Sequence, residues 1–106
     1  MGMQTHLKIR MEILIEAPLR SRLSALLESH EVSGYTIFPA MGGSGGMGDW
    51  SRAGMITDFG QMLLFTCILD PGKQDEILTE LRDRLADHIG YVTVTEVGVV
   101  RPNKFT

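Results

Sequence analysis

This sequence of 106 residues has little cysteine, no cluster of positive charge and no long apolar segment. Its single cysteine, Cys67, excludes an intrachain disulfide and a zinc site built from several cysteines. The ten basic residues are scattered and outnumbered by thirteen acidic ones, which disfavours nucleic acid as a partner. No stretch approaches the roughly 18 apolar residues of a membrane-spanning helix, and the N-terminus has no apolar signal segment. We therefore expect a cytoplasmic protein that is not inserted in a membrane.

Glycine, in contrast, is abundant and unevenly placed. Five of the seven residues from Gly42 to Gly48 are glycine. Residues 42–56 have neither the two-residue period of a strand nor the 3.6-residue period of a helix, which predicts a long loop. Loops of this length in compact domains are usually functional or disordered. The chain length predicts one domain, residues 1–106, because a separate core usually needs roughly 100–150 residues.

Strand and helix patterns alternate along the rest of the chain. Strands are predicted from residue 7 to 15, from 35, from 62 to 69 and from 91 to 100, and helices at about 18–30 and about 71–88. The Asp70 carboxylate is predicted to cap the second helix, and Gly90 to take the left-handed position after it. The order β-α-β-β-α-β predicts an α+β, ferredoxin-like fold with a four-stranded antiparallel sheet and two helices on one face.

The third predicted strand is apolar on both faces, although the predicted helices cover only one face of the sheet. Alternation along this strand gives two sets, which are Met62, Leu64, Thr66 and Ile68, and Leu63, Phe65, Cys67 and Leu69. Burial of each such apolar side chain contributes about 1.5–3 kcal/mol, so a monomer would forgo much stability by leaving one face in water. We therefore expect association through the open sheet face.

The glycine run is the strongest candidate for a binding element. It formally contains GxGxxG, but no helix pattern follows and no Gly-Lys-Ser/Thr ends it, which argues against both dinucleotide and P-loop sites. Consecutive glycines allow backbone N–H groups to surround an anion, although a flexible surface loop is the alternative interpretation. Trp50 and Arg52, which follow the run, favour a loop that becomes ordered on binding.

Catalytic and metal patterns are weak. His6, His30 and His88 are far apart and lack metal-ligand spacing, and no nucleophile with a partnered base is present. Glu12 and Glu16 share a strand face, where solvated charges explain them as well as a carboxylate pair does. Arg101 and Lys104 lie after the last predicted strand, where they form either a solvated tail or a contact for phosphate or bicarbonate. We expect no enzyme activity, no metal and no covalent cofactor.

Four segments, taken in order, resemble the PII family of trimeric signalling proteins, particularly the small PII-like members linked to inorganic carbon handling, in carboxysomes or bicarbonate transport. They are Gly34-Tyr35-Thr36 at the start of the second strand, Gly42-Gly43-Ser44-Gly45 at the start of the loop, Asp58-Phe59 at its return, and Arg101. The resemblance extends from about residue 7 to 105. It implies a homotrimer with an adenine nucleotide in each intersubunit cleft and residues 42–56 as the T-loop.

The resemblance also implies roles for individual residues. Nucleotide contacts are implied for Gly34, Tyr35, Thr36, Gly42, Gly43, Ser44, Gly45, Gly46, His88, Gly90, Tyr91 and Arg101. Candidates for bicarbonate are Arg52, Arg101 and Lys104. The loop residues implied to contact a partner, such as a membrane transporter or an enzyme, are Met47, Asp49 and Trp50. Because the segment 88–91 is short and lacks lysine, ADP or AMP is favoured over ATP.

Two other functions remain as alternatives. One is a small ferredoxin-like enzyme of the acylphosphatase kind, which would be expected to have an arginine and an asparagine early in the chain; the one asparagine here is Asn103. The other is a trimer of the same fold that binds a divalent metal, for which His30 and His88 would be the residues to test.

Overall fold

The described part of the protein consists of one four-stranded sheet, a separate hairpin and two helices. The computed structural model describes residues 4–32, 34–45, 48–51 and 61–100. In chain order the elements are β1 (His6–Glu16), α1 (Arg20–Ser29), β2 (Tyr35–Pro39), β3 (Gly42–Gly45), β4 (Gly48–Ser51), β5 (Met62–Leu69), α2 (Gln74–Leu85) and β6 (Ile89–Val99). Short 3-10 turns, Ala17–Leu19, Pro71–Lys73 and Ala86–His88, flank the helices.

The main sheet has the strand order β2-β5-β1-β6, and every neighbouring pair is antiparallel. Two helices and four antiparallel strands in this order confirm the predicted ferredoxin-like fold. The central strand β1 has eleven residues and pairs with β5 on one side and with β6 on the other. Both long ladders of the sheet consequently depend on the register of β1.

The core lies between the helices and one face of the sheet. Alternate residues of β1 are buried, as the period of a half-covered strand requires. The helices contribute residues spaced three or four apart, which places them on one stripe. The buried side chains that β1, β5 and the two helices contribute to this core are Ile9, Met11, Ile13, Ile15, Leu23, Leu26, Leu27, Phe65, Cys67, Leu69, Ile77, Leu81 and Leu85.

Helix α1 ends in a Schellman motif without glycine. Glu31 has φ 62°, and it is the one non-glycine residue with positive φ in the described part of the chain. The Glu31 amide donates to the Glu28 carbonyl at 3.0 Å, and the Val32 amide donates to the Leu27 carbonyl at 3.0 Å. These are the two bonds that define the motif, whose left-handed position favours glycine because a β-carbon is crowded there.

The ends of α2 differ from both capping predictions. The Asp70 side chain makes no capping hydrogen bond and instead pairs with Lys8 of β1, and that hydrogen bond lowers the pKa of the Asp70 carboxyl. Gly90 does not follow a helix in a left-handed conformation, because the 3-10 turn ends at His88 and Gly90 already lies in β6. Asp70 is paired with Lys8 of the sheet, and Gly90 belongs to a strand that begins one residue before it.

The predicted loop contains regular structure. Strands β3 and β4 form an antiparallel hairpin in which Gly42 is opposite Ser51 and Gly45 is opposite Gly48. The prediction that residues 42–56 lack regular structure is therefore wrong for this part. Glycines have no side chains from which a two-residue period can be read.

We expect Glu31→Gly to raise the free energy of unfolding by about 1 kcal/mol, because it removes the β-carbon from a left-handed backbone position. Glu31→Ala is the matched control, since it also removes the carboxylate but keeps the β-carbon. Chemical denaturation of the three proteins at one concentration measures the effect. Equal stabilities of the glycine and alanine variants would show that the backbone conformation at residue 31 costs nothing.

Candidate functional site

Several predicted site segments lie at the same end of the main sheet. At this end β1 finishes, β5 and β6 begin, and the connection from β2 to the hairpin leaves the sheet. The Ala17 amide donates to the Gln61 carbonyl and the Ala40 amide to the Met62 carbonyl, each at 3.0 Å. The base of the glycine hairpin and the start of β6 are therefore fixed to the same end of the sheet. We call this end, defined by Glu16, Ala40, Gln61 and His88, the hairpin end.

A histidine and a glutamate are paired at the hairpin end. His88 lies in the 3-10 turn before β6, and its Nδ1 is 2.6 Å from a carboxylate oxygen of Glu16, the last residue of β1. Their side chains are 41% and 36% exposed, so the pair lies at the surface and ligands can approach it. From the sequence, Glu16 is either a solvated strand charge or one member of a carboxylate pair with Glu12, and neither interpretation includes a histidine partner. The pairing joins residues 72 apart, and no local pattern announces it.

Gly90 packs tightly at the same end. The register of β1 and β6 shifts between Leu14 and Ile15, so that Tyr91 is opposite Leu14 while Ile89 is opposite Ile15, and Gly90 is the additional residue between them. A β-carbon at Gly90 would lie 2.9 Å from Cδ2 of Leu14 and 3.3 Å from the methyl carbon of Met62. Glycine at this bulge therefore lets β6 approach the side chains of β1 and β5.

The second predicted group lies on β2, at the other side of the sheet. The Tyr35 ring stacks on Phe65 with centroids 5.9 Å apart, and its hydroxyl donates to Glu28 at 2.6 Å. Tyr35 is therefore engaged on the helical side, whereas Thr36 is exposed on the open side opposite Thr66. Gly34, which precedes β2, is also exposed.

These two groups do not meet within one chain. Strand β2 is one edge of the sheet and β6 is the other, with β5 and β1 between them. Three strand spacings separate the edges by about 14 Å. A ligand that contacted both Thr36 and the segment from His88 to Tyr91 would need these groups from different copies of the chain, or a span across the whole open face.

The open face itself is ordered in rows across the four strands. Phe38, Leu64, Leu14 and Tyr91 are aligned by register, and we call them the apolar row. Phe38 is 50% exposed and Tyr91 is 46% exposed, which is high for large apolar side chains. The next row in the same registers consists of Thr36, Thr66, Glu12 and Thr93. The open face is thus apolar toward the hairpin end and polar in its middle, a pattern that the sequence of β5 alone did not reveal.

Some predicted site residues fall outside this geometry. Gly46, Met47, Arg52, Arg101 and Lys104 lie outside the described residues, and β4, which contains Asp49 and Trp50, is described by its backbone only. The described glycines of β3 are paired along one edge of that strand. Alternate residues of a paired strand point their amides away from the partner, and no other described strand pairs with that outer edge of β3.

The other histidine considered as a metal ligand joins the two helices. His30, at the end of α1, has Nε2 2.7 Å from Glu80 and Nδ1 3.7 Å from Glu76, both on α2. Within the described ranges, no group of three or more histidine, cysteine, aspartate or glutamate side chains has the arrangement of a metal site. In those same ranges no helix has the length and apolar character needed to cross a membrane.

The fold defines a class of small ferredoxin-like proteins with a β-hairpin inserted between the second and third strands of the main sheet. The family model for Nitrogen regulatory protein P-II matches residues 8–104, and this chain therefore belongs to the PII family. A search of curated protein sequences gives no match.

Solved structures of similar fold cover nearly the whole chain. CPII, a nitrogen regulatory PII-like protein from Thiomonas intermedia K12 bound to ADP, AMP and bicarbonate, is 23% identical with a TM-score of 0.88 and 98% of each chain covered. A putative PII-like signaling protein from Thermus thermophilus is 25% identical with a TM-score of 0.80, covering 98% of this chain and 100% of the other. The apo form of CPII is 19% identical with a TM-score of 0.76, covering 95% and 100%.

The single thiol is not suited to be a nucleophile. Burial raises the pKa of Cys67, and the hydrogen bond that its Sγ donates to the Met11 carbonyl at 3.7 Å lowers it by less, so that the resulting pKa is about 11. We expect the native protein to react with a thiol reagent at least about a hundredfold more slowly than the unfolded chain, because thiolate is scarce and access is restricted. Colorimetric thiol titration with and without denaturant measures this. Similar rates in both conditions would contradict the burial of this strand.

Proposed function

We propose that this chain is a non-enzymatic signalling protein that forms a homotrimer and binds adenine nucleotide between neighbouring subunits. One observation carries the proposal: the two groups of predicted nucleotide residues lie on opposite edge strands of the same sheet. Association that brings β2 of one copy next to β6 of another would complete the site. The exposed apolar row gives a physical reason for that association, since its burial removes large side chains from water.

The ligands follow from the site and from the relatives. CPII structures contain ADP, AMP and bicarbonate, so we propose ADP or AMP together with bicarbonate for this chain. The described residues of the segment 88–91 offer one histidine and no lysine or arginine to meet phosphates. Because each additional phosphate needs further positive charge, ATP should bind more weakly than ADP or AMP. Arg52, Arg101 and Lys104 remain the candidates that supply charge to the nucleotide or to bicarbonate.

The hairpin is the proposed output of this sensor. It leaves the sheet beside the nucleotide residues, so a ligand that contacts the backbone of Gly42–Gly45 also favours one orientation of β3 and β4. We propose that this change presents Met47, Asp49 and Trp50 to a partner protein, such as an inorganic-carbon transporter or an enzyme, in the cytoplasm. If ADP and the partner favour the same hairpin orientation, ADP strengthens partner binding. If they favour opposite orientations, ADP weakens it.

The trimer can be tested through the apolar row. Phe38→Asp should convert the trimer to monomer, because each association would bury unpaired carboxylates at a large energetic cost. Leu7→Asp is the matched control, since Leu7 is 60% exposed but lies on the opposite face of the sheet. Light scattering after size-exclusion chromatography gives the mass of each variant, and circular dichroism confirms its fold. A folded Phe38→Asp variant that stays trimeric would exclude the apolar row from the interface.

Binding can be tested by calorimetry with ADP, AMP, ATP and bicarbonate. We expect ADP and AMP to bind more tightly than ATP, and Arg101→Ala to weaken ADP binding by about tenfold to a hundredfold, since it removes a charged hydrogen bond. Arg82→Ala is the control, because Arg82 is 73% exposed on α2 and pairs with Asp83. Absence of binding for every nucleotide in a trimeric sample would refute the function. Unchanged ADP affinity in Arg101→Ala would remove only that residue from the site.

A further inference from the structure

The pairing of His88 with Glu16 fixes which ring nitrogen carries hydrogen. An ionised carboxylate can only accept hydrogen bonds, so a contact of 2.6 Å requires hydrogen on Nδ1 of His88. The Glu16 carboxylate does not cap the following turn, and the hydrogen bond described for it is the one with the His88 imidazole. In the neutral ring, therefore, Nε2 carries a lone pair and no hydrogen.

That tautomer has opposite consequences for an anion in the two charge states of the ring. Neutral His88 would present the Nε2 lone pair to an approaching anion, which is repulsive. Protonated His88 would present an Nε2–H donor and a positive charge, while Nδ1–H still donates to Glu16. Within the described residues, no hydrogen-bond partner occupies Nε2.

We propose that Glu16 is a positioning residue that makes the binding of a nucleotide phosphate at His88 depend on the uptake of one proton. The proton comes from solvent and adds to Nε2 when the phosphate binds, and it returns to solvent on release. This inference rests on the proposed function, because it requires the phosphate of ADP or AMP to lie against His88. Histidine is the side chain whose charge changes in the physiological pH range, so ADP binding would report cellular pH as well as nucleotide concentration.

The surroundings of His88 make this assignment simple. Glu16 is the one carboxylate within 4.0 Å of the ring among the described residues, and Asp87, its neighbour in the turn, is exposed. The elements that meet here, β1, β5 and β6, contribute the apolar side chains Leu14 and Met62 next to Gly90. His30 offers the contrast, because its Nε2 is 2.7 Å from Glu80 and its Nδ1 is 3.7 Å from Glu76, so that carboxylates of α2 lie beside both ring nitrogens.

Proton uptake can be measured directly on the trimer with ADP. Calorimetric titrations in two non-phosphate buffers of different ionisation enthalpy, between about pH 6 and about pH 8.5, give the protons bound per site. We expect wild type to take up more protons on binding ADP than His88→Gln does, and its affinity for ADP to fall toward alkaline pH by up to about tenfold per pH unit. The difference between wild type and His88→Gln removes the contribution from the titration of ADP itself.

The variants separate positioning from mere structural support. His88→Gln should abolish the proton uptake that exceeds the contribution of ADP itself, and it should make the affinity for ADP depend less on pH. Glu16→Gln should reduce both, because glutamine accepts from or donates to Nδ1 and so permits the Nε2–H tautomer, which meets an anion without a proton. At alkaline pH, Glu16→Gln should therefore bind ADP at least as tightly as wild type. His30→Gln, the matched histidine control, should leave proton uptake unchanged.

The outcomes distinguish this inference from the proposed function. If ADP binds but proton uptake is the same in wild type, His88→Gln and Glu16→Gln, the inference fails and the proposed function stands. If ADP and AMP do not bind at all, the proposed function fails and the inference with it. Nitrogen NMR of the His88 ring in the ligand-free protein adds an independent readout: hydrogen on Nε2 rather than Nδ1 of the neutral ring would overturn the role of Glu16.

Discussion

The alternation of side chains along β1 is the constraint on which the rest of the structure depends. On one face its aliphatic residues, from Ile9 to Ile15, form the floor of the core beneath both helices. The same strand forms the ladders with β5 and β6, so it decides which residues of those strands are opposite one another. A shift of β1 by one residue would send its buried side chains to the open face, and the large cost of that exchange keeps the register unique.

The open face inherits its order from the same register. Leu14 lies between Leu64 and Tyr91, and Glu12 lies between Thr66 and Thr93, so apolar and polar rows follow directly from two neighbouring positions of one strand. At the end of the strand, Glu16 reaches the turn that precedes β6. The apolar row, which we connect with assembly, and Glu16, which we connect with anion recognition, thus both depend on where β1 lies in the sheet. A variant that disturbs β1 will affect both.

Most of the fold could be predicted from the sequence because the spacing of apolar residues within each element indicates whether that element is a helix or a strand. The spacing of Leu23, Leu26 and Leu27 marks α1, and the apolar run of β5 marks a central strand. Predictions failed where a residue distant in the sequence determines the local conformation or the side-chain contact. Asp70 pairs with Lys8 across the sheet rather than with its own helix, and Gly90 serves a bulge opposite Leu14. The contact between His88 and Glu16, and the separation of the two groups of predicted nucleotide residues onto opposite edges, depend on the topology and cannot be found in any short segment of the sequence.

In the part of the chain that the structure describes, β3 and β4 form a two-stranded sheet that shares no ladder with the four-stranded one. An isolated two-stranded ribbon is only marginally stable in water, so unfolding this arm costs little free energy compared with unfolding the core. Among the described residues, that unfolding would break no ladder hydrogen bond of the main sheet. A substitution in the arm can therefore alter the surface that the arm presents while the four-stranded sheet and its helices keep their structure.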